Sequence, residues 1–148
     1  MECFYLIFDN PFAFSHTLRN SLGTLLSSID VCTAYYYELP HGAGLIMISK
    51  AYFTHFIEKH ACDDRFVRMA QALGMKDAAE PMDFITALVK LQEDCGVADL
   101  KMSDYGIWPD EFPAMAQNAR DTMGGLFGCD RVQLSNEDCV AIFEKSYR

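Results

Sequence analysis

The sequence predicts an all-α fold, a helical bundle, and three observations predict it. Apolar residues recur at three- and four-residue steps from Ala43 to the C-terminus. Glycine and proline punctuate that pattern at helix-length intervals, and no run of alternating strand residues follows Tyr37. The 148 residues suit one domain, and 51% hydrophobic against 22% charged residues is enough apolar material to pack one core.

The first helix follows His41-Gly42, with Leu45, Ile48, Tyr52 and Phe56 on one face and Ser49, Lys50, Thr54, Glu58 and Lys59 on the other. A second carries Phe66, Val67, Ala70 and Leu73 and stops at Gly74, which is free to adopt the positive φ that satisfies the last carbonyls. A third starts near Pro81, whose missing N–H costs nothing in a first turn; it buries Phe84, Ile85, Leu88 and Leu91 and ends at Gly96. The fourth begins around Pro109, sets Asp110 and Glu111 against the positive end of the helix dipole, presents Phe112, Met115, Ala116 and Ala119, and ends at Gly124-Gly125. In the last, Ser135 precedes Asp138 by three residues in a capping-box pattern, and Val140, Phe143 and Tyr147 share a side. Residues 1–36 have no clear period: Ser15 to Leu26 suits a helix, and Ala34 to Tyr37 reads as strand or helix.

A net charge of −9 opposes binding to phosphate backbones and anionic lipid, which excludes nucleic acid as a partner. The apolar opening from Cys3 to Phe8 breaks at Asp9, well short of the roughly 20 residues that cross a bilayer, and no basic leader precedes it. No membrane role is expected. Cys3, Cys32, Cys62, Cys95, Cys129 and Cys139 form no C-x-x-C pair, which points to free thiols in a reducing cytoplasm.

Phosphate-cradling glycine loops and the G-x-S-x-G nucleophile turn are both absent. His41, between Pro40 and Gly42 at a helix entrance, is a candidate ligand for divalent iron or zinc, although a helix-start histidine bonded to backbone explains the spacing as well. His55 and His60 differ by about 140° around a helix, cannot share a metal, and read as solvated surface residues. His16 has no partner at ligand spacing. Asp63-Asp64 and Asp110-Glu111 serve helix starts rather than acid–base chemistry, and Trp108, the other aromatics and the methionines follow core spacing.

The order of these signals resembles the iron-containing alcohol dehydrogenases, in particular the butanol dehydrogenase-like branch. Tyr37 followed by Glu38-Leu39-Pro40-His41-Gly42-Ala43-Gly44-Leu45 is similar to that family's Y-D-I/V-x-H-G-x-G-L stretch. Arg68 to Gly74 resembles its A-x-x-L-G helix end; Asp94-Cys95-Gly96-Val97, with Leu100 and Tyr105-Gly106-Ile107, resembles its L-G-I/V-P-x-x-L-x-D/E-x-G-I/V segment; and Met123-Gly124-Gly125 with the last helix matches its end.

The resemblance implies an all-helical C-terminal metal-binding domain over residues 37–148, preceded by a divergent segment, 1–36. It implies a family activity, hydride transfer between NAD(P) and an alcohol or aldehyde at a site holding Fe2+ or Zn2+ through one aspartate and three histidines. His41 corresponds to one of those ligands. Ser27 stands where the family has a second, Val31 replaces a histidine near the nicotinamide, and the remaining ligands and the dinucleotide loop lie upstream of the matching stretch. The expectation is a fragment or remnant of such an enzyme, inactive alone and with no cofactor of its own; the alternative is a non-enzymatic helical interaction module. A metal carrier is disfavoured because ligands do not cluster. The surface that a nucleotide-binding half would cover, with Phe4, Tyr5, Leu6, Ile7, Phe8, Phe12 and Phe14 available to exchange across it, implies a homo-oligomer.

Overall fold

The computed structural model describes residues 39–128 and 132–148. Among them five α-helices form: α1, His41–Glu58; α2, Asp63–Ala72; α3, Asp83–Asp94; α4, Phe112–Phe127; and α5, Asn136–Ser146. Two 3-10 turns, Met102–Tyr105 and Pro109–Glu111, lie between α3 and α4, and there is no strand among the described residues. The readings of Ser15–Leu26 and Ala34–Tyr37 lie outside them.

The helix α1 is the axis of the bundle. It packs against α3 on one side and α5 on another, while α2 pairs with α3 and α4 pairs with α5. Its apolar surface goes nearly all round: Ile46, Met47, Ile48 and Ser49 are consecutive and buried, as are Ala51, Tyr52, Phe53, Phe56 and Ile57. A helix apolar on every side belongs in the middle of a bundle. Ser49 therefore corrects the sequence reading, which set it on the solvent face: it is 0% exposed.

Aromatic rings join the layers. Phe53 of α1 meets Phe84 of α3 edge-on at 5.2 Å and Phe66 of α2 at 6.3 Å, and Phe66 lies 5.6 Å from Phe84. Phe112 of α4 stacks on Phe143 of α5 at 5.6 Å and touches Tyr147 at 5.9 Å. Each buried Phe is worth roughly 1.5–3 kcal/mol of removed apolar area, so these two clusters contribute substantially to holding the helices together.

Helix ends follow local chemistry where glycine is left-handed. Gly74 (φ 101°) closes α2 and Gly96 (φ 67°) closes α3, with Val97 N–H donating back to the Gln92 carbonyl at 2.9 Å. Asp83 Oδ2 accepts from the backbone N–H groups of Ala79 and Glu80 at 2.8 and 2.9 Å, which starts α3; those two bonds, Glu80's first, hold its carboxyl below the ordinary carboxylate value. Ser135 caps α5 as expected: its Oγ accepts from Asp138 N–H at 3.1 Å, and its N–H donates to Asp138 Oδ2 at 2.9 Å.

The expected stop at Gly124-Gly125 does not occur, because neither glycine takes positive φ and α4 runs through both to Phe127. Tertiary packing draws it on. Phe127 is buried at 3% exposure, and the Arg120 guanidinium lies 4.6 Å over its ring. The same guanidinium donates to Asn136 Oδ1 and the Leu134 carbonyl, tying the α4–α5 connection to α4. Trp108 also departs from expectation: it is 54% exposed, while Glu111 Oε2 accepts its backbone N–H at 2.9 Å to start the Pro109 turn.

Candidate functional site

His41 is the first residue of α1, directly after Pro40, whose φ of −56° and ψ of 124° turn the chain into the helix. Pro40's carbonyl accepts from Ala43 N–H at 2.8 Å and Gly44 N–H at 3.3 Å. Leu39 and Ala43 on either side are buried, while Pro40 is exposed. Ser27, Val31 and His16 lie outside the described residues.

The other two described histidines are far from this entrance. His55 is fourteen residues along the same helix, about 21 Å at 1.5 Å per residue, and cannot join a metal site with His41. His60 follows α1, adopts φ 51° and pairs with Asp63 through Nδ1 and Oδ2 at 2.8 Å in solvent, as a surface histidine should. No three His, Cys, Asp or Glu side chains gather as a metal site among the described residues. The described residues thus do not fit a metal centre by themselves: any metal held by His41 takes its other ligands from elsewhere.

Two polar groupings that the sequence reading missed lie inside the bundle. Gln92 of α3, 5% exposed, donates from Nε2 to Ser49 Oγ at 3.0 Å and to the Ile46 carbonyl at 3.3 Å, while Ser49 Oγ donates to the same carbonyl at 2.9 Å. The second grouping is His55, which is 7% exposed and so corrects the solvated reading. Its Nε2 has no hydrogen-bond partner and faces Asp138 Oδ1 of α5 at 3.7 Å. Burial lowers the His55 pKa against the opposing pull of Asp138. For Asp138 burial works against ionisation, but bonds from Ser135, with His55 and Lys59 adding, hold its carboxyl below the ordinary value. A signal for His55 was present: it falls three residues after Tyr52 and beside Phe56, on the apolar stripe.

Cys62 and Cys139 are free thiols, and burial pushes that of Cys139 up to about 11, which removes it from nucleophilic use near neutrality. Asp63-Asp64 open α2 and Asp110-Glu111 fall in the Pro109 turn, the dipole positions the spacing predicts. An open groove between α4 and α5 is lined by Pro113, Gln117, Glu137, Val140 and Glu144 among others. No helix among the described residues is long and apolar enough to cross a membrane.

Residues 22–147 match the family described as Fe-containing alcohol dehydrogenase family, C-terminal. That match begins ahead of Tyr37, where the sequence resemblance starts. The fold superposes on the archaeal halo-thermophilic Red Sea brine pool alcohol dehydrogenase ADH/D1, solved bound to NZQ, with a TM-score of 0.71 and 27% identity over 82% of this chain. It also superposes on a 1,3-propanediol oxidoreductase, with a TM-score of 0.70 and 18% identity over 83% of this chain, a likeness of fold. This chain spans 32% of the length of each of those two structures. No curated protein sequence matches it.

Proposed function

The chain belongs to the Fe-containing alcohol dehydrogenase family, and on that premise we propose that it is the helical part of an NAD(P)-dependent alcohol or aldehyde oxidoreductase that is inactive as the isolated chain. One observation carries the reading: residues 22–147 match the family's C-terminal part. In this reading His41, the first residue of the central helix, offers one imidazole to Fe2+ or Zn2+, and a nucleotide-binding half supplies the cofactor and the remaining ligands. One imidazole does not retain a catalytic metal, because even open catalytic sites use about three protein ligands. Ser27 and Val31, at the two positions where the resemblance places histidines, point the same way. The free thiols at Cys62 and Cys139 support a reducing cytoplasm as its compartment.

The test is metal content after dialysis against a chelator, together with NAD(P)-linked alcohol oxidation, for the chain alone and mixed with a separately produced nucleotide-binding half. The expected result is neither metal nor turnover for the chain alone. Stoichiometric iron or zinc that survives the chelator and disappears in His41→Ala would overturn the inactive reading.

A second reading, a helical interaction module without chemistry, draws on Trp108, because an indole 54% exposed beside a rigid turn is the kind of residue that anchors protein interfaces. Turnover on mixing the two halves separates the readings: the module gives none.

A further inference from the structure

Most of the α1–α5 interface is apolar, with Ile142, Phe143 and Cys139 of α5 buried along with Ile48, Tyr52 and Phe56 of α1. A buried imidazole interrupts it. His55 Nε2 is fully shielded from water, lacks a hydrogen-bond partner, and faces Asp138 Oδ1 across the interface at 3.7 Å, beyond bonding distance. The other oxygen of the same carboxylate accepts the Ser135 N–H that starts α5. A single carboxylate therefore both begins α5 and faces the buried imidazole on its neighbour.

We propose that His55 and Asp138 form a proton-operated latch, which holds α5 on α1 while the imidazole is neutral and loosens α5 when it takes up a proton. The inference is independent of the dehydrogenase reading. Protonation places a cation on a side chain only 7% exposed, with the Phe56 ring 5.8 Å away between centroids. Among the described residues, the charged groups around it are Glu58 and Lys59 at the end of α1, and Asp138 and Lys145 from α5. Asp138 and Glu58 favour the cation, whereas Lys59 and Lys145 oppose it. Lys145 and Glu58 also face each other at 3.3 Å in solvent, a weak tie between the same two helices.

Burial outweighs these charges and lowers the His55 pKa from 6.5, which sets the direction. The unfolded or undocked chain then binds more protons than the docked one as pH falls below 6.5, so docking is strongest above that value and weakens towards and through the lowered one.

The test is amide hydrogen exchange of the full chain between about pH 7.5 and pH 5, corrected for intrinsic exchange rates, in the histidine titration range. Protection of residues 139–146 is expected to fall several-fold more than that of residues 66–72 in α2. In His55→Gln, which is neutral at every pH and still reaches Asp138, this difference is expected to vanish. Asp138→Asn keeps an oxygen for the Ser135 N–H but removes the charge, and should move the His55 midpoint, read by imidazole NMR shifts, further down. Equal pH dependence of α2 and α5, the same α5 loosening in His55→Gln, or an unmoved midpoint in Asp138→Asn would each overturn the latch.

Discussion

At the scale of single residues, one buried polar side chain bonds across two helices of the bundle. Ser49 and Gln92 are both buried, and Gln92 Nε2 reaches Ser49 Oγ at 3.0 Å across the α1–α3 contact. Ser49→Ala removes that acceptor and leaves Gln92 with the longer bond to the Ile46 carbonyl, so it is expected to cost about 1–3 kcal/mol. Thr54→Ala is the control, since Thr54 Oγ1 bonds only its own helix, at the Lys50 carbonyl, and about 0.5 kcal/mol or less is expected there. Urea denaturation of both variants measures the difference; equal midpoints would mean that the Gln92 contact stabilises nothing. The sequence pattern could not separate these two hydroxyls. Both lie off the main stripe of α1, and only the arrival of α3 over Ser49 distinguishes them.

At the scale of elements, the same residue type ends one helix and continues another. Gly74 closes α2 at φ 101°, whereas Gly124 lies inside α4, takes no positive φ, and has open space where a Cβ would go. Gly124→Ala is therefore expected to stabilise the protein by about 0.4–1 kcal/mol, mainly by restricting the unfolded chain. Gly74→Ala is expected to destabilise it by about 1–2 kcal/mol, the cost of a left-handed L-residue. Thermal unfolding should shift up for the first and down for the second, and a downward shift for both would show that α4 does end at Gly124. The starts and stops written in local chemistry were legible: Gly74, Gly96, Pro109 and the Ser135–Asp138 capping box all fall where helix termini form. The Gly124 boundary was not, because the burial of Phe127 and the Arg120 contact over its ring outweigh the local preference of glycine.

At the scale of the whole molecule, this chain spans 32% of the length of the alcohol dehydrogenase structure it superposes on. We propose that the face turned towards a nucleotide-binding half in a full-length enzyme brings two copies of this chain together, since contiguous apolar surface beyond a few hundred Å² is rarely left in water. Light scattering at low micromolar concentration should give a mass above the 16.7 kDa of one chain; a monomer that binds no hydrophobic dye would remove the proposal. By itself the sequence determined the helical class, four of the five helix ends named above and the family, because periodicity, capping and short motifs are local and survive without coordinates. The tertiary structure alone decided that α1 is the axis, that Ser49 and His55 are inside and Trp108 outside, and that His55 meets Asp138. Those facts depend on which helices stack on which faces, and a 3.6-residue period names an apolar face without naming what covers the others.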